Sequence, residues 1–137
     1  MTARFVDTNV LIYASTALAE HGAKTASARE ILAGSDIAVS VQVLQEFYVQ
    51  ATRPNRGGRL SHAEAAASVA RLARLPVQSI TPELVQAAIR TCQRFQISYW
   101  DAAIIEAARR LGCQTVLSED LSDGQDYDGV RVRNPFA

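Results

Sequence analysis

The sequence predicts an α/β fold with a mostly parallel sheet of about five strands, and three observations point to it. Short apolar runs alternate with longer segments of helical period. The helical segments carry recognisable start and stop signals, and several acidic residues stand where an apolar run ends and a helical segment begins. At 137 residues the chain is predicted to form one domain, residues 1–137, long enough to bury a core without disulfides or a structural metal.

The predicted strands are residues 3–7, 37–40, 77–80, 114–118 and 130–133. Between them, Ser61-His62-Ala63-Glu64 reads as a capping box opening a helix. Thr81-Pro82-Glu83 supplies an N-cap, a first-position proline and a first-turn acid, followed by Leu84, Ala88, Cys92 and Phe95 on one stripe. The segment from Trp100 to Leu111 places Trp100, Ile104, Ala108 and Leu111 on one face, ends with Arg109 and Arg110, and stops at Gly112. Residues 53–59 form a breaker-rich loop linking two helices, and residues 122–129 read as a second loop before the last strand. There is no internal repeat or extended low-complexity tract.

Composition narrows the function. Formal net charge is zero, so any attraction for a polyanion must come from local arginine clusters. The expectation is a soluble, cytoplasmic protein: no apolar run approaches the roughly 20 residues that span a bilayer, and no basic N-terminal leader is evident. Cys92 and Cys113 lie in apolar surroundings with no short Cys–Cys or Cys–His spacing, so buried free thiols are expected.

Four acids mark the breaks between elements. Asp7 follows Arg4-Phe5-Val6, Glu46 follows Ser40-Val41-Gln42-Val43-Leu44, Asp101 follows Ser98-Tyr99-Trp100, and Asp120 ends Ser118-Glu119-Asp120. Each has an ordinary explanation. Asp7 can end a strand beside the N-cap Thr8, and Asp101 suits the first turn of a capped helix. Asp120 lies in an acidic loop, and Glu46 falls opposite the stripe Leu44, Phe47, Tyr48 and Ala51 at about 100 degrees per residue, which predicts solvent exposure.

Topology makes the set more informative than its members, because in a doubly wound parallel sheet the strand ends and the following helix starts share one edge. Two carboxylates about 4 Å apart repel by roughly 4 kcal/mol at an effective dielectric near 20, so converging acids call for a bound cation or for protons. With no His or Cys beside them, the acids favour Mg²⁺ or Mn²⁺ over zinc. Thr8, Asn9, Ser40, Gln42 and Ser118 fall at the same edge, where they would hydrogen-bond and orient the acids.

These blocks, Phe5-Val6-Asp7-Thr8-Asn9, Ser40 to Phe47, Tyr99 to Ile104, Leu117 to Leu121 and Asn134-Pro135-Phe136, together resemble the PIN-domain family of metal-dependent nucleases, particularly its VapC-type toxins of bacterial toxin–antitoxin pairs. The resemblance covers nearly the whole chain. It implies a three-layer α/β/α fold, an acidic pocket holding Mg²⁺ or Mn²⁺, endoribonuclease activity, dimerisation, and inhibition by a small cognate antitoxin. Carried over by position, Asp7, Glu46 and Asp101 are the acidic triad and Asp120 the fourth acid, with Glu119 or Asp123 as alternatives for that last place; one metal or two stays open.

Under that reading RNA is the substrate, and Arg53, Arg56 and Arg59 are candidates to meet its phosphates. Core packing is expected of Tyr48, Tyr99 and Trp100 in preference to base stacking, and surface positions for His21 and His62. Three alternatives stand beside it. A PIN-like domain that binds RNA or protein without cleaving is one. A phosphoacceptor signalling module is another, but it wants paired early acids and a late lysine, whereas the only lysine is Lys24. A haloacid dehalogenase-type phosphatase needs Asp-x-Asp after its first strand, where this chain has Asn9.

Overall fold

The computed structural model describes residues 3–137. Six strands, β1 (Arg4–Val6), β2 (Ile37–Ser40), β3 (Val77–Gln78), β4 (Thr115–Leu117), β5 (Asp126–Tyr127) and β6 (Val130–Arg133), form one sheet in the order β3-β2-β1-β4-β6-β5. All pairings are parallel except β5 with β6. The six α-helices among the described residues are α1 (Thr8–Ser15), α2 (Gly22–Leu32), α3 (Val41–Ala51), α4 (His62–Leu72), α5 (Pro82–Phe95) and α6 (Tyr99–Arg110). Helices α1 to α4 pack as one group; α5 and α6 pack as a pair, and α6 runs over β2, β3, β4 and β6. This is the expected three-layer arrangement.

The strand order fixes where a site can form. From β1 the chain winds outward to β2 and β3 on one side, then returns to β4 and β6 on the other, so the direction reverses between β1 and β4. Ligand crevices of open α/β sheets lie at the carboxyl ends of the strands at such a reversal. Here that point falls between Val6 and Leu117, which are paired in register, and the Asp7 N–H donates to the Leu117 carbonyl at 3.0 Å.

The core explains why short runs suffice as strands. Phe5, Val6, Ala38, Val39, Val116 and Val132 are completely buried, as parallel strands covered on both faces require. Helix α6 is buried along seven successive residues, Ala102 to Ala108, because it lies between the sheet and α5; four of the seven are alanines, which permit close approach on every side. Glu106 within this run is buried, receiving Arg109 Nε at 3.1 and 3.2 Å and the Thr91 hydroxyl at 2.8 Å. A charge there is tolerated because it is paired and hydrogen-bonded.

The expected caps form. Ser61 and Glu64 make a reciprocal capping box, and Thr81 and Ser98 cap α5 and α6. Cys113 is buried and Cys92 half-buried, both as free thiols.

Three expectations need correction. Residues 122–129 are not a plain loop: Asp126–Tyr127 forms β5, joined to β6 by a two-residue turn at Asp128 and Gly129 with φ of 54° and 95°. Positive φ at both turn positions is the type I′ geometry for which Asp-Gly is a preferred dipeptide. The strand expected over 77–80 pairs only at Val77–Gln78. Trp100 does not pack in the core but is 65% exposed, since α6 becomes sandwiched only beyond its first turn; its ring stands edge-on to half-buried Tyr99. Tyr48 is half-buried, its hydroxyl 2.8 Å from Nδ1 of exposed His62. His21 lies at the surface, its side chain 37% exposed and its ring edge-on to Tyr13.

Candidate functional site

Asp7 ends β1 and caps α1 with its own side chain: Oδ1 accepts from the Thr8 N–H at 2.7 Å. Its second oxygen, Oδ2, accepts from the Ser118 hydroxyl at 2.8 Å and from Asn9 Nδ2 at 3.5 Å. Ser118, fully buried just past β4, uses its whole capacity here. It donates to Asp7 and accepts from Asn9 Nδ2 at 3.2 Å and from the Asp120 N–H at 3.1 Å. Asn9 closes the network, with Nδ2 also 3.2 Å from Asp120 Oδ2 and its carbonyl oxygen accepting from the Glu119 N–H at 3.2 Å.

Glu46 joins through Thr8, whose hydroxyl donates to Oε1 at 2.9 Å. The expectation that Glu46 faces solvent is therefore corrected. The buried stripe of α3 is Val43, Phe47 and Ala51, and Glu46 flanks it, half-buried, toward the start of α1. Asp7, Glu46 and Asp120 thus belong to one hydrogen-bonded assembly at the strand-order reversal.

The assembly is short of positive charge. Among the described residues, the hydrogen-bond partners of these three carboxylates are hydroxyl, amide and backbone N–H groups. Burial of Asp7, which is 8% exposed, pushes its pKa up to about 6; the Ser118 and Thr8 hydrogen bonds oppose that rise, and the nearby charges of Glu46 and Asp120 add to it.

Asp101 sits in the first turn of α6, its N–H donating to the Ser98 cap at 3.1 Å. The start of α6 is docked on the start of α3, since Gln42 Nε2 donates to the Trp100 carbonyl at 3.3 Å. Gln42 and Glu46 are one helical turn apart and share a face of α3, so Asp101 enters from the same edge of the sheet. No hydrogen bond ties its carboxylate to the other three among the described residues, nor do any three acid, histidine or cysteine side chains there stand close enough to form a ready cation cage. Thr8 and Asn9 act as spacers that hold Glu46 and Asp120 apart from Asp7.

The residues expected to support the acids divide by what they touch. Thr8, Asn9 and Ser118 bond to the acids directly, whereas Ser40 caps α3, accepting from the Val43 N–H, and Gln42 fixes α6. Glu119 points away from Asp7. Its carboxylate takes the Tyr13 hydroxyl at 2.6 Å and the Lys24 ammonium at 2.8 Å; burial opposes ionisation, but these partners outweigh it and hold the acid below the usual range. Asp123 accepts from the Asn134 N–H at 2.9 Å. Of the three loop acids, Asp120 is the one bonded within the assembly.

Sequence reading missed Lys24 and Tyr13, which anchor the 118–121 turn through Glu119. Lys24 and Glu119 are 95 positions apart, so only the singularity of the lysine marked it. Arg53 and Arg59 are exposed, while Arg56 is folded back and half-buried. A surface cleft of about 650 Å³ lies elsewhere, between α1, α2 and α4, and is lined by Arg29, Leu32 and Arg71 among others. No helix among the described residues is long and apolar enough to cross a membrane.

The same fold occurs in known toxins. The Mycobacterium tuberculosis VapC20 toxin, described as cleaving the sarcin–ricin loop, superposes with a TM-score of 0.67 at 24% identity, covering 86% of this chain and 92% of that one. A toxin–antitoxin complex from Klebsiella pneumoniae gives 0.69 at 18% identity, with 98% of each chain covered. DNA-bound VapBC from Salmonella typhimurium gives 0.66 at 20% identity, with 98% of this chain and 99% of that one covered. Comparison with the curated proteins found no match. The family model for the PIN domain matches residues 4–122, a span that contains Asp7, Glu46, Asp101 and Asp120. The chain belongs to the PIN-domain family.

Proposed function

We propose that this protein is a Mg²⁺- or Mn²⁺-dependent endoribonuclease, the toxin of a type II toxin–antitoxin pair. The observation that carries the reading is the network joining Asp7, Glu46 and Asp120 at the strand-order reversal, with no basic side chain hydrogen-bonded to these acids among the described residues. The atoms its acids offer to a cation are all carboxylate oxygens, which suits a hard divalent ion. Magnesium takes only one or two carboxylates directly and keeps several waters, so acids set apart by hydroxyl and amide spacers fit it. Asp7 and Asp101 would hold the ion, with Asp120 completing the set directly or through water. When bound, the ion supplies charge neutralisation at a phosphodiester and a lowered pKa for the attacking water.

The chain's own groups do the rest. Glu46, oriented by the Thr8 hydroxyl, accepts the proton of the attacking water. Ser118 and Asn9 keep Asp7 and Asp120 in place. Exposed Trp100, next to Asp101, offers a face on which a base of single-stranded RNA can stack. His21 and His62 have no place in this chemistry, which needs no 2′-hydroxyl attack. The toxin role and a small cognate antitoxin are supported by the similar chain in a complex named as a toxin–antitoxin complex, and a homodimeric state is proposed with them.

The test is cleavage of single-stranded RNA by the purified protein in Mg²⁺ or Mn²⁺ and in EDTA, beside Asp7→Asn and Asp101→Asn. Activity should need the metal and both acids. Cleavage that survives both substitutions would reject the chemistry; metal-independent RNA binding without cleavage would favour a PIN-like binding domain.

A further inference from the structure

Next to the acid network lies a pocket that carries an arginine. It has a volume of about 180 Å³ and is walled by Asn9, Tyr13, His21, Gln50 and Arg56 over an apolar floor that includes Leu18. Asn9 is common to both: one side chain separates this pocket from Asp7 and Asp120. Asp7 and Asp120 lie on one side of that amide; on the other stand Arg56 and His21, with Glu119 held behind Tyr13 and Glu20 3.7 Å from the His21 ring.

The pocket is built in advance. Arg56 donates through Nε to the Gln50 carbonyl at 2.8 Å, which aims the guanidinium, and its two terminal nitrogens have no hydrogen-bond partner among the described residues. The loop carrying it is packed down: a Cβ at Gly57 or Gly58 would lie 3.6 or 3.3 Å from the Leu18 side chain, so these residues lie directly against Leu18. Tyr13 is a fixed wall, its hydroxyl tied to Glu119 and its ring 5.3 Å, edge-on, from the His21 ring. Arg53 and Arg59 on the same loop are exposed and share none of this.

We infer that this pocket binds a backbone phosphate of the RNA, the one adjacent to the scissile phosphate, through Arg56 with His21 and Gln50; the inference rests on the RNA substrate proposed above. For a strand with its scissile phosphate at the acids and its neighbouring phosphate across Asn9, that second phosphate meets a guanidinium whose terminal nitrogens are free to donate, the pairing arginine makes with phosphate. The volume equals that of roughly six waters at about 30 Å³ each, enough for a phosphate and too small for a whole drug-sized ligand. The pocket therefore sets the register of the backbone, a positioning role, and reads no base.

The experiment uses short single-stranded RNAs of mixed sequence in which one phosphate at a time is replaced by a neutral methylphosphonate. Binding is measured in magnesium buffer to the Asp7→Asn protein, and cleavage with the wild type. At one position the replacement should weaken binding roughly tenfold or more, the effect of losing one charge-assisted contact. Adding Arg56→Gln to Asp7→Asn should remove that discrimination, leaving the two RNAs equal, while adding Arg59→Gln should weaken all RNAs alike and keep it. Discrimination that persists without Arg56, or no position that discriminates, overturns the inference. If the binding pattern holds but wild-type protein cleaves nothing, the pocket stands and the nuclease reading falls.

Discussion

Replacing Asp7 by Asn should stabilise the metal-free protein at neutral pH and lose most of that advantage in acid. The folded state holds the Asp7 proton until about pH 6, whereas the unfolded chain releases it near 3.8. The native state therefore binds more protons between those values, and stability falls as pH rises through that window. A gap of about 2 pKa units corresponds to about 3 kcal/mol at about pH 7.5, shrinking to under about 1 kcal/mol near pH 4.

Asn at this position avoids the buried charge but cannot accept at both ends. Ser118, already accepting from Asn9 and Asp120, would have to reorganise, at a cost of about 1 kcal/mol. That cost is nearly independent of pH, so the difference between the two pH values isolates the charge. Denaturant unfolding followed by circular dichroism in EDTA, on both proteins at about pH 4 and about pH 7.5, should show the relative stability of Asp7→Asn rising by about 2–3 kcal/mol on going to the higher pH. In melting temperature that is a relative shift of roughly 10 °C. An equal difference at both pH values would refute the reasoning that burial and neighbouring acids penalise the Asp7 charge.

Other substitutions test separate links. Arg109→Met removes both bonds to buried Glu106 and those to the Tyr127 and Asp128 carbonyls, and should destabilise the fold by about 2–4 kcal/mol in denaturant titration. Ser118→Ala should cost about 1–3 kcal/mol by orphaning the Asn9 and Asp120 donors it serves, and should lower RNA cleavage without changing the family of products. Gly129→Val, placing a β-branched residue at φ 95°, should lower the melting temperature by several degrees, about 1–3 kcal/mol.

What could be read before folding follows from how local each signal is. The break at Asp7, the caps at Ser61, Thr81 and Ser98, and the alternation of apolar runs with helices are local, and they place the strands and the edge where the acids lie. The β5–β6 hairpin reads as a loop in the sequence despite the preferred turn pair Asp128-Gly129, because two residues are too short a strand to show alternation. The orientation of Glu46 was not legible. Helical phase shows which side of α3 is apolar, but whether a flanking acid meets solvent or Thr8 depends on how α1 packs beside it. Trp100 misled for the converse reason: its apolar character put it on a core stripe, while the sheet and α5 cover only the later turns of α6. The Lys24–Glu119 pair and the Arg56 pocket join elements distant in sequence, and no spacing rule reaches them.

The central claim is that acids gathered at the strand-order reversal retain a hard dication, and direct Mn²⁺ binding tests it most plainly. Mn²⁺ titrated into the metal-free protein and followed by electron paramagnetic resonance should show bound metal that Mg²⁺ displaces, with affinity lost in Asp7→Asn and in Asp101→Asn. Binding of equal strength in wild type and both variants, or none in the wild type, would contradict it.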